Sequence, residues 1–311
     1  MGEPVLATVA NSMFSFAIML ALGMLVAKLG IASRETIDGA ITISLKVLLP
    51  LTIFSFIYKG TTPQNAADNL PIAAFAAVFY LLIPIFMAGV SRAQGITGAR
   101  SRIYRMTFIF GNTSFIGLPL LKAVYPASAA PVMALFMLVD QAVIWTYGVH
   151  LASGEALDAR STAKRFANPN LFALLAAFAL VLAGIPLPQV VIDTASSLGD
   201  AATPLCMVCL GALFYYSDVR KLMNWREFLV GVGAKMIIVP LAVSFALNAL
   251  LPQLSPDMLG AFVLLAAMPA TTLVPLIAET YGDQGEFATV ISVATIFAST
   301  ITVPLVAALA L

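Results

Sequence analysis

Long apolar runs constrain the fold of this sequence more than any other feature. The first run extends from Val5 to Ala27 without a charged residue. Over the 311 residues, 61% are hydrophobic and only 10% are charged, whereas about a quarter of the residues in a soluble domain are charged. Because a protein folded in water needs polar residues at its surface, lipid must solvate this chain. The sequence therefore predicts an integral membrane protein of the all-α class.

Ten segments are long and apolar enough to cross a bilayer, which takes about 20 apolar residues in a helix. We expect the first to be a membrane span and not a signal peptide, because Glu3 and no basic residue precede it and the run is long. The predicted spans, numbered 1 to 10 along the chain, are 5–28, 39–58, 69–91, 103–125, 129–152, 169–187, 190–216, 227–251, 258–281 and 286–311.

Basic residues divide unequally between the two ends of these spans. Ten spans place both termini and the even-numbered connections on one side, where Lys59 is the one basic residue. Cytoplasmic connections are rich in Lys and Arg. We therefore expect a multi-pass protein of the cell inner membrane with both termini outside. The basic residues of the predicted cytoplasmic side are Lys28, Arg34, Arg92, Arg100, Arg102, Arg105, Arg160, Lys164, Arg165, Arg220, Lys221 and Arg226.

Similar short sequences recur about half a chain apart. Leu118-Pro119-Leu120 resembles Val274-Pro275-Leu276, and both are followed by a tyrosine six residues after the proline. Pro50-Leu51 corresponds to Pro204-Leu205, and Gly30-Ile31 to Gly184-Ile185. These matches predict two five-helix repeats, 1–153 and 169–311, joined by a cytoplasmic loop, 154–168. An odd number of spans per repeat inverts the second copy, which is typical of transporters.

Predicted spans 4 and 9 are interrupted at corresponding places, by residues 111–119 and 269–275. Proline removes a backbone donor, and a break at membrane depth is stable only inside protein or beside a wet cavity. A restarted helix presents free N–H groups and a partial positive charge, which attract an anion. The alternative is a plain proline kink with hydroxyls bonded back to the helix. The predicted substrate-binding residues are Asn112, Thr113, Ser114, Pro119, Thr271, Thr272 and Pro275.

Ionisable residues within a span are costly and often functional. Asp140, beside Gln141, is the deepest of them, and Lys46 lies about one turn before Pro50. An Asp140–Lys46 pair could couple transport to a proton or to substrate charge, or it could be a static ion pair. We expect Cys206 and Cys209 to be packing residues, and we expect no metal site and no cofactor.

At the two interruptions the sequence resembles the auxin efflux carrier family. The string Gly111-Asn112-Thr113 through Pro119 to Tyr125 is similar to the family's fourth helix, and Met268-Pro269 through Pro275 to Tyr281 to its ninth. The resemblance implies a fold similar to that of bile-acid/sodium symporters. Spans 1, 2, 6 and 7 would form a scaffold, and spans 3–5 and 8–10 a transport unit in which helices 4 and 9 cross at Pro119 and Pro275. The short loop between the halves is typical of bacterial members thought to move malonate or malate.

The leading functional hypothesis is a secondary active carrier of a small organic anion, a mono- or dicarboxylate. The alternative is a sodium- or proton-coupled symporter or antiporter on the same fold. An intramembrane enzyme is a poor fit, because there is no HExxH motif and His150 is the single histidine. The expected partners are the anion and the lipid bilayer; a homodimer stays open. A net charge of +1 gives no basic field for nucleic acid.

Overall fold

A computed structural model of the chain describes residues 2–155 and 168–311. Within these residues the fold is all helix, with no named strand, as the composition predicts. Residues 156–167, which include most of the predicted connecting loop with Arg160, Lys164 and Arg165, lie outside the described part.

The helices follow one another with short connections. In chain order they are α1 Gly2–Lys28, α2 Arg34–Gly60, α3 Pro63–Asp68, α4 Pro71–Ala93, α5 Gly98–Ile109, α6 Thr113–Val124, α7 Ala129–Ser153, α8 Pro169–Leu182, α9 Gln189–Tyr216, α10 Val219–Leu222, α11 Trp225–Leu250, α12 Pro256–Ala267, α13 Leu273–Tyr281 and α14 Gly285–Ala310.

Seven of the described helices are long and apolar enough to cross a membrane: α1, α2, α4, α7, α9, α11 and α14. Three shorter apolar helices, α6, α8 and α12, accompany them. Each of the ten predicted spans is largely helical, but spans 4 and 9 are each divided into two helices, α5–α6 and α12–α13. Both interruptions are therefore present, whereas ten complete crossings and a 5+5 inverted repeat stay predictions.

Many of the extensive helix contacts fall within two groups, and α1 also packs along α14, which joins the groups. In the first, α1 packs along α9, and α2 packs on α8 and α9. The α1–α9 approach is close because an added Cβ at Gly23 would strike the backbone of Val208, and one at Gly211 the backbone of Leu20. Small residues allow such close helix contacts in membranes. In the second group, α4 packs on α5 and α7, α11 on α12, and α13 on α14. The scaffold and transport units inferred from the resemblance stay a prediction.

Widened π-helical turns precede three of the helix prolines. They cover Ser44–Leu48, Thr113–Gly117 and Gly233–Ile238, and each ends two residues before a proline, at position 50, 119 or 240. Since proline lacks an N–H and its ring clashes with the preceding turn, a wider turn accommodates it. A carbonyl released in this way needs another donor at membrane depth. For Pro119, the hydroxyl of Thr203 donates to the Phe115 carbonyl, with 3.2 Å between the oxygens.

Candidate functional site

The two helix interruptions contact each other through their backbones. The first break, residues 110–112, separates α5 from α6, and the second break, residues 268–272, separates α12 from α13. Gly111 and Ala270 form an antiparallel bridge. The Asn112 N–H donates to the Pro269 carbonyl at 2.6 Å, and the Thr271 N–H donates to the Phe110 carbonyl at 3.0 Å. These bonds satisfy backbone groups that lipid could not, which allows non-helical chain at this depth.

Side chains from neighbouring segments fix this contact. An added Cβ at Gly111 would lie 2.9 Å from the Cβ of Met268, so only glycine allows the breaks to approach this closely. The Ala270 N–H donates to the hydroxyl of Thr295 at 2.9 Å, and Thr295 is fully buried in α14. Sequence reasoning missed Thr295, because one threonine in a long apolar helix carries no signal.

The resemblance implied a contact at Pro119 and Pro275. The structure instead has the contact at Gly111 and Ala270. Pro119 is in the helical run that follows the first break, about two turns beyond Gly111, and Pro275 is in the first turn of α13. Proline can be tolerated inside a span when its turn widens, so it need not mark the point where the helix stops. The proline that does form the contact is Pro269, through its carbonyl.

Asn112 is the polar side chain most closely associated with the contact. Its side chain is completely buried. Its Oδ1 accepts a hydrogen bond from the Phe115 N–H at 3.1 Å, which caps α6. Its Nδ2 is also buried but has no hydrogen-bond partner in the described structure. Asn112 therefore keeps two free N–H donors at the paired breaks. Ser114, another of the predicted substrate-binding residues, is buried in the first turn of α6.

The second break contributes its two threonines. The Leu273 N–H donates to the Thr271 hydroxyl oxygen at 3.4 Å, so Thr271 takes part in capping α13. Thr272 is buried beside the thiol of Cys206, which is itself buried and free of disulfide bonding. Pro275 is buried in the first turn of α13. The structure thus brings Asn112, Thr271 and their backbone neighbours together, and the hydrogen bonds between the breaks include neither Pro119 nor Pro275.

Asp140 of α7 contacts the first break. Only 3% of its surface is exposed. The hydroxyl of Thr113 donates to Asp140 Oδ2 at 3.4 Å, and so does the Gln141 amide. The phenol of Tyr80, from α4, donates to the other carboxylate oxygen. Sequence reasoning expected Asp140, Gln141 and Thr113 to be functional but did not identify Tyr80, whose position in an apolar run looks like ordinary core.

The predicted Asp140–Lys46 pair is wrong. Lys46 is exposed, and neither ion pair of the described residues, Lys59–Asp193 or Arg100–Glu227, includes it. The buried neighbours Leu45, Leu48 and Leu49 define the inner face of α2, so Lys46 lies on the outer face. This excludes both roles considered for an Asp140–Lys46 pair, coupling to transport and static stabilisation.

Lys235 of α11 is the buried cation next to the breaks. It is only 2% exposed, and its amino group donates to the Ala266 carbonyl at the end of α12. The amino nitrogen also lies 5.7 Å from the centre of the Phe79 ring. A cation is favourable at the carboxyl end of a helix. Two helices end and two begin at the paired breaks, so the carboxyl ends offset part of the positive charge that the sequence argument assigned to the amino ends. Lys235 compensates one of these carboxyl ends.

Comparison with known proteins fits this architecture. The family model described as "Membrane transport protein" matches residues 8–306. A protein of Rhizobium meliloti (strain 1021) named "Putative malonate transporter" is 24% identical in an alignment of 309 positions that covers 94% of each chain. The match covers both helix breaks and nearly all of the helices. This chain is a multi-pass membrane transporter and not an enzyme, and it belongs to the membrane transport protein family, the auxin efflux carrier family.

Proposed function

We propose that this transporter is a secondary active carrier of a small organic anion, a mono- or dicarboxylate, and that the carboxylate binds at the paired breaks. The observation that carries the proposal is the unpaired Nδ2 of Asn112. A buried amide N–H without an acceptor costs free energy, so such groups usually have a partner in the functional state. A carboxylate offers the acceptor that the protein does not.

The charges around the breaks favour an anion over a cation. Two helices start there, and Lys235 neutralises a carboxyl end that would otherwise repel an anion. Among the described acids, Asp140 is the one bonded at the start of α6, next to the first break, and three donors already occupy it. A sodium site would need several oxygen ligands around one cavity. In the part of the chain that the structure describes, the buried side-chain groups without a partner at the breaks are the Asn112 amide nitrogen, a donor, and a single hydroxyl, that of Thr272.

Asp140 supports proton coupling as the driving reaction. Its hydrogen bond from Thr113 connects the carboxylate directly to the first turn of α6. Gain or loss of a proton at Asp140 would change that bond, and with it the position of the half-helix that begins at the site. Proton coupling through Asp140 replaces the Asp140–Lys46 scheme, and sodium coupling stays the alternative.

Alternating access would move one group of helices against the other. In this proposal α1, α2, α8 and α9 are the scaffold, and the remaining spans carry the paired breaks. The helices cross the inner membrane ten times as two inverted five-helix repeats, with both termini outside. The two-fold relation of inverted repeats provides the inward-open and outward-open states.

Flux into proteoliposomes tests the proposal. Purified protein is reconstituted, and uptake of radiolabelled malonate, the acid named for the relative, is measured with a pH gradient, a sodium gradient or neither. We expect saturable uptake that unlabelled dicarboxylates compete for and that a pH gradient accelerates. Uptake no faster than in protein-free liposomes, for malonate and for a panel of small carboxylates, would refute the proposed function.

A further inference from the structure

Arg105 of α5 is held inside the helix bundle without a matching anion. Its Nη2 donates to the phenol oxygen of Tyr147 at 2.6 Å. Its Nε is buried and has no hydrogen-bond partner in the described structure. The residue as a whole is half-buried. A guanidinium carries five donors and a permanent charge. A phenol accepts one bond and neutralises none of the charge.

The neighbouring arginines of the same helix differ from Arg105. Arg100 binds the carboxylate of Glu227 through Nε at 2.9 Å and Nη2 at 2.7 Å. The Nε of Arg102 donates to the Leu151 carbonyl at 3.1 Å. In the described residues, Arg105 forms neither an ion pair nor a bond to a carbonyl. Burying part of a cation without an anion is costly, and of these three arginines the described structure pairs only Arg100 with a carboxylate.

Arg105 lies on the helical segment that leads to Asn112, and Tyr147 lies on α7 with Asp140. Arg105 precedes Asn112 by seven residues on the segment that leads into the first break. Tyr147 follows Asp140 by seven residues on α7, which is about 10 Å along a helix axis. Both therefore lie about two turns from the breaks, toward the predicted cytoplasmic side. The His150 ring is close by, with its centre 6.0 Å from that of Tyr147.

We propose that Arg105 and Tyr147 form a second carboxylate-binding station, which a small organic anion occupies between the predicted cytoplasmic surface and the paired breaks. This inference rests on the proposed function. A planar guanidinium binds a carboxylate through two parallel hydrogen bonds, and Tyr147 can donate its hydroxyl to the same group once Arg105 has turned to the anion. The station would bind substrate that enters from the predicted cytoplasmic side. Access would still alternate about the paired breaks and not about the station.

Transport of radiolabelled malonate by membrane vesicles tests the station. Inside-out vesicles expose the predicted cytoplasmic face, and right-side-out vesicles expose the opposite face. Arg105→Gln should raise the KM for malonate about tenfold in inside-out vesicles, as expected for one lost charge-assisted bond, and much less in right-side-out vesicles. Arg105→Lys should recover part of the loss. Tyr147→Glu, which supplies a tethered carboxylate to Arg105, should raise the KM as Arg105→Gln does, whereas Tyr147→Phe should have a smaller effect.

Arg102→Gln is the matched control, because it removes the same charge from the same helix. Equal KM values for the Arg105→Gln and Arg102→Gln proteins, with wild-type transport intact, would overturn the station and leave the proposed function standing. Failure of the wild type to transport malonate or any other small carboxylate would instead refute the proposed function. The same assay in vesicles with and without anionic lipid identifies the occupant: competition by anionic lipid would assign Arg105 to a headgroup phosphate and overturn the station.

Discussion

Asn112 and Asp140 illustrate what single residues do at the paired breaks. The Asn112 oxygen holds the first turn of α6, and its nitrogen has no hydrogen-bond partner in the described structure. Asp140 receives three donors, one of them from Thr113 at the start of the same half-helix. A ligand at Asn112 and a proton at Asp140 would therefore both act on one short helix. That shared element gives a physical basis for coupling between the two.

Asp140→Asn should separate coupling from binding. The amide keeps the shape of the carboxylate: its oxygen can accept a bond from one of Thr113 and Tyr80, and its NH₂ group can donate to the hydroxyl oxygen of the other, but it cannot gain or lose a proton at ordinary pH. We expect malonate binding to remain measurable, while the dependence of flux on the pH gradient disappears. The measurement is uptake at several internal and external pH values in proteoliposomes. A well-folded Asp140→Asn protein that keeps the wild-type pH dependence would exclude Asp140 as the coupling residue.

Part of this site follows from the sequence, and part does not. Asn112, Thr113 and Thr271 could be identified because polar residues next to Gly and Pro inside an apolar run are unusual. The contacts of Tyr80 and Thr295, and the exposed position of Lys46, could be identified only from the three-dimensional structure. Which residue faces which neighbour depends on helix rotation, and a lone tyrosine or threonine in an apolar helix fits an unremarkable core position equally well.

At the scale of the helices, the paired breaks depend on close backbone approach. Three widened turns allow prolines to remain within helices, whereas the segments at Gly111 and Ala270 interrupt predicted spans 4 and 9. The sequence predicted the two interruptions correctly because both contain glycine or proline beside hydroxyl residues. The expected contact at Pro119 and Pro275, which the resemblance implied, was wrong. The sequence alone does not distinguish a proline that bends a helix from one that ends it.

Gly111→Ala should disrupt the pairing of the breaks. The new Cβ would lie 2.9 Å from the Cβ of Met268, closer than such atoms normally approach, and overpacking of this kind costs about 1–3 kcal/mol. We expect a lower thermal unfolding midpoint and slower malonate flux. Gly89→Ala, in α4, is the control because an added Cβ there meets no atom within 4 Å. Equal stability of the Gly111→Ala and Gly89→Ala proteins would contradict the proposed role of the close contact.

For the molecule as a whole, composition predicts the environment better than it predicts the topology. The apolar runs identify a membrane protein and the approximate place of each helix, because lipid demands long helical segments. Helix ends are less certain: α2 and α5 each begin five residues before the predicted spans, at polar residues that a hydropathy criterion excludes. Orientation depends on how the basic residues are distributed between the two sides of the membrane. The fold by itself does not determine it.

Cysteine labelling tests the predicted orientation. In a background with Cys206 and Cys209 replaced by alanine, Gly2→Cys and Leu311→Cys should react with a membrane-impermeant thiol reagent added to intact cells. Ser161→Cys should react only after the membrane is permeabilised. Labelling of Ser161→Cys in intact cells, with both terminal cysteines protected, would reverse the orientation.

The central claim is that a substrate carboxylate binds at the paired breaks, and binding of malonate to Asn112→Asp tests it most directly. Aspartate keeps the oxygen that accepts from the Phe115 N–H, but it removes the free donors and adds a negative charge. By calorimetry on purified protein, the account predicts that malonate affinity falls at least ten- to a hundredfold, the effect of about 1.5–3 kcal/mol for a lost bond to a charged group. The thermal unfolding midpoint should stay near that of the wild type, and the neutral diamide of malonate should bind the wild type poorly. Wild-type affinity for malonate in a folded Asn112→Asp protein would contradict the account.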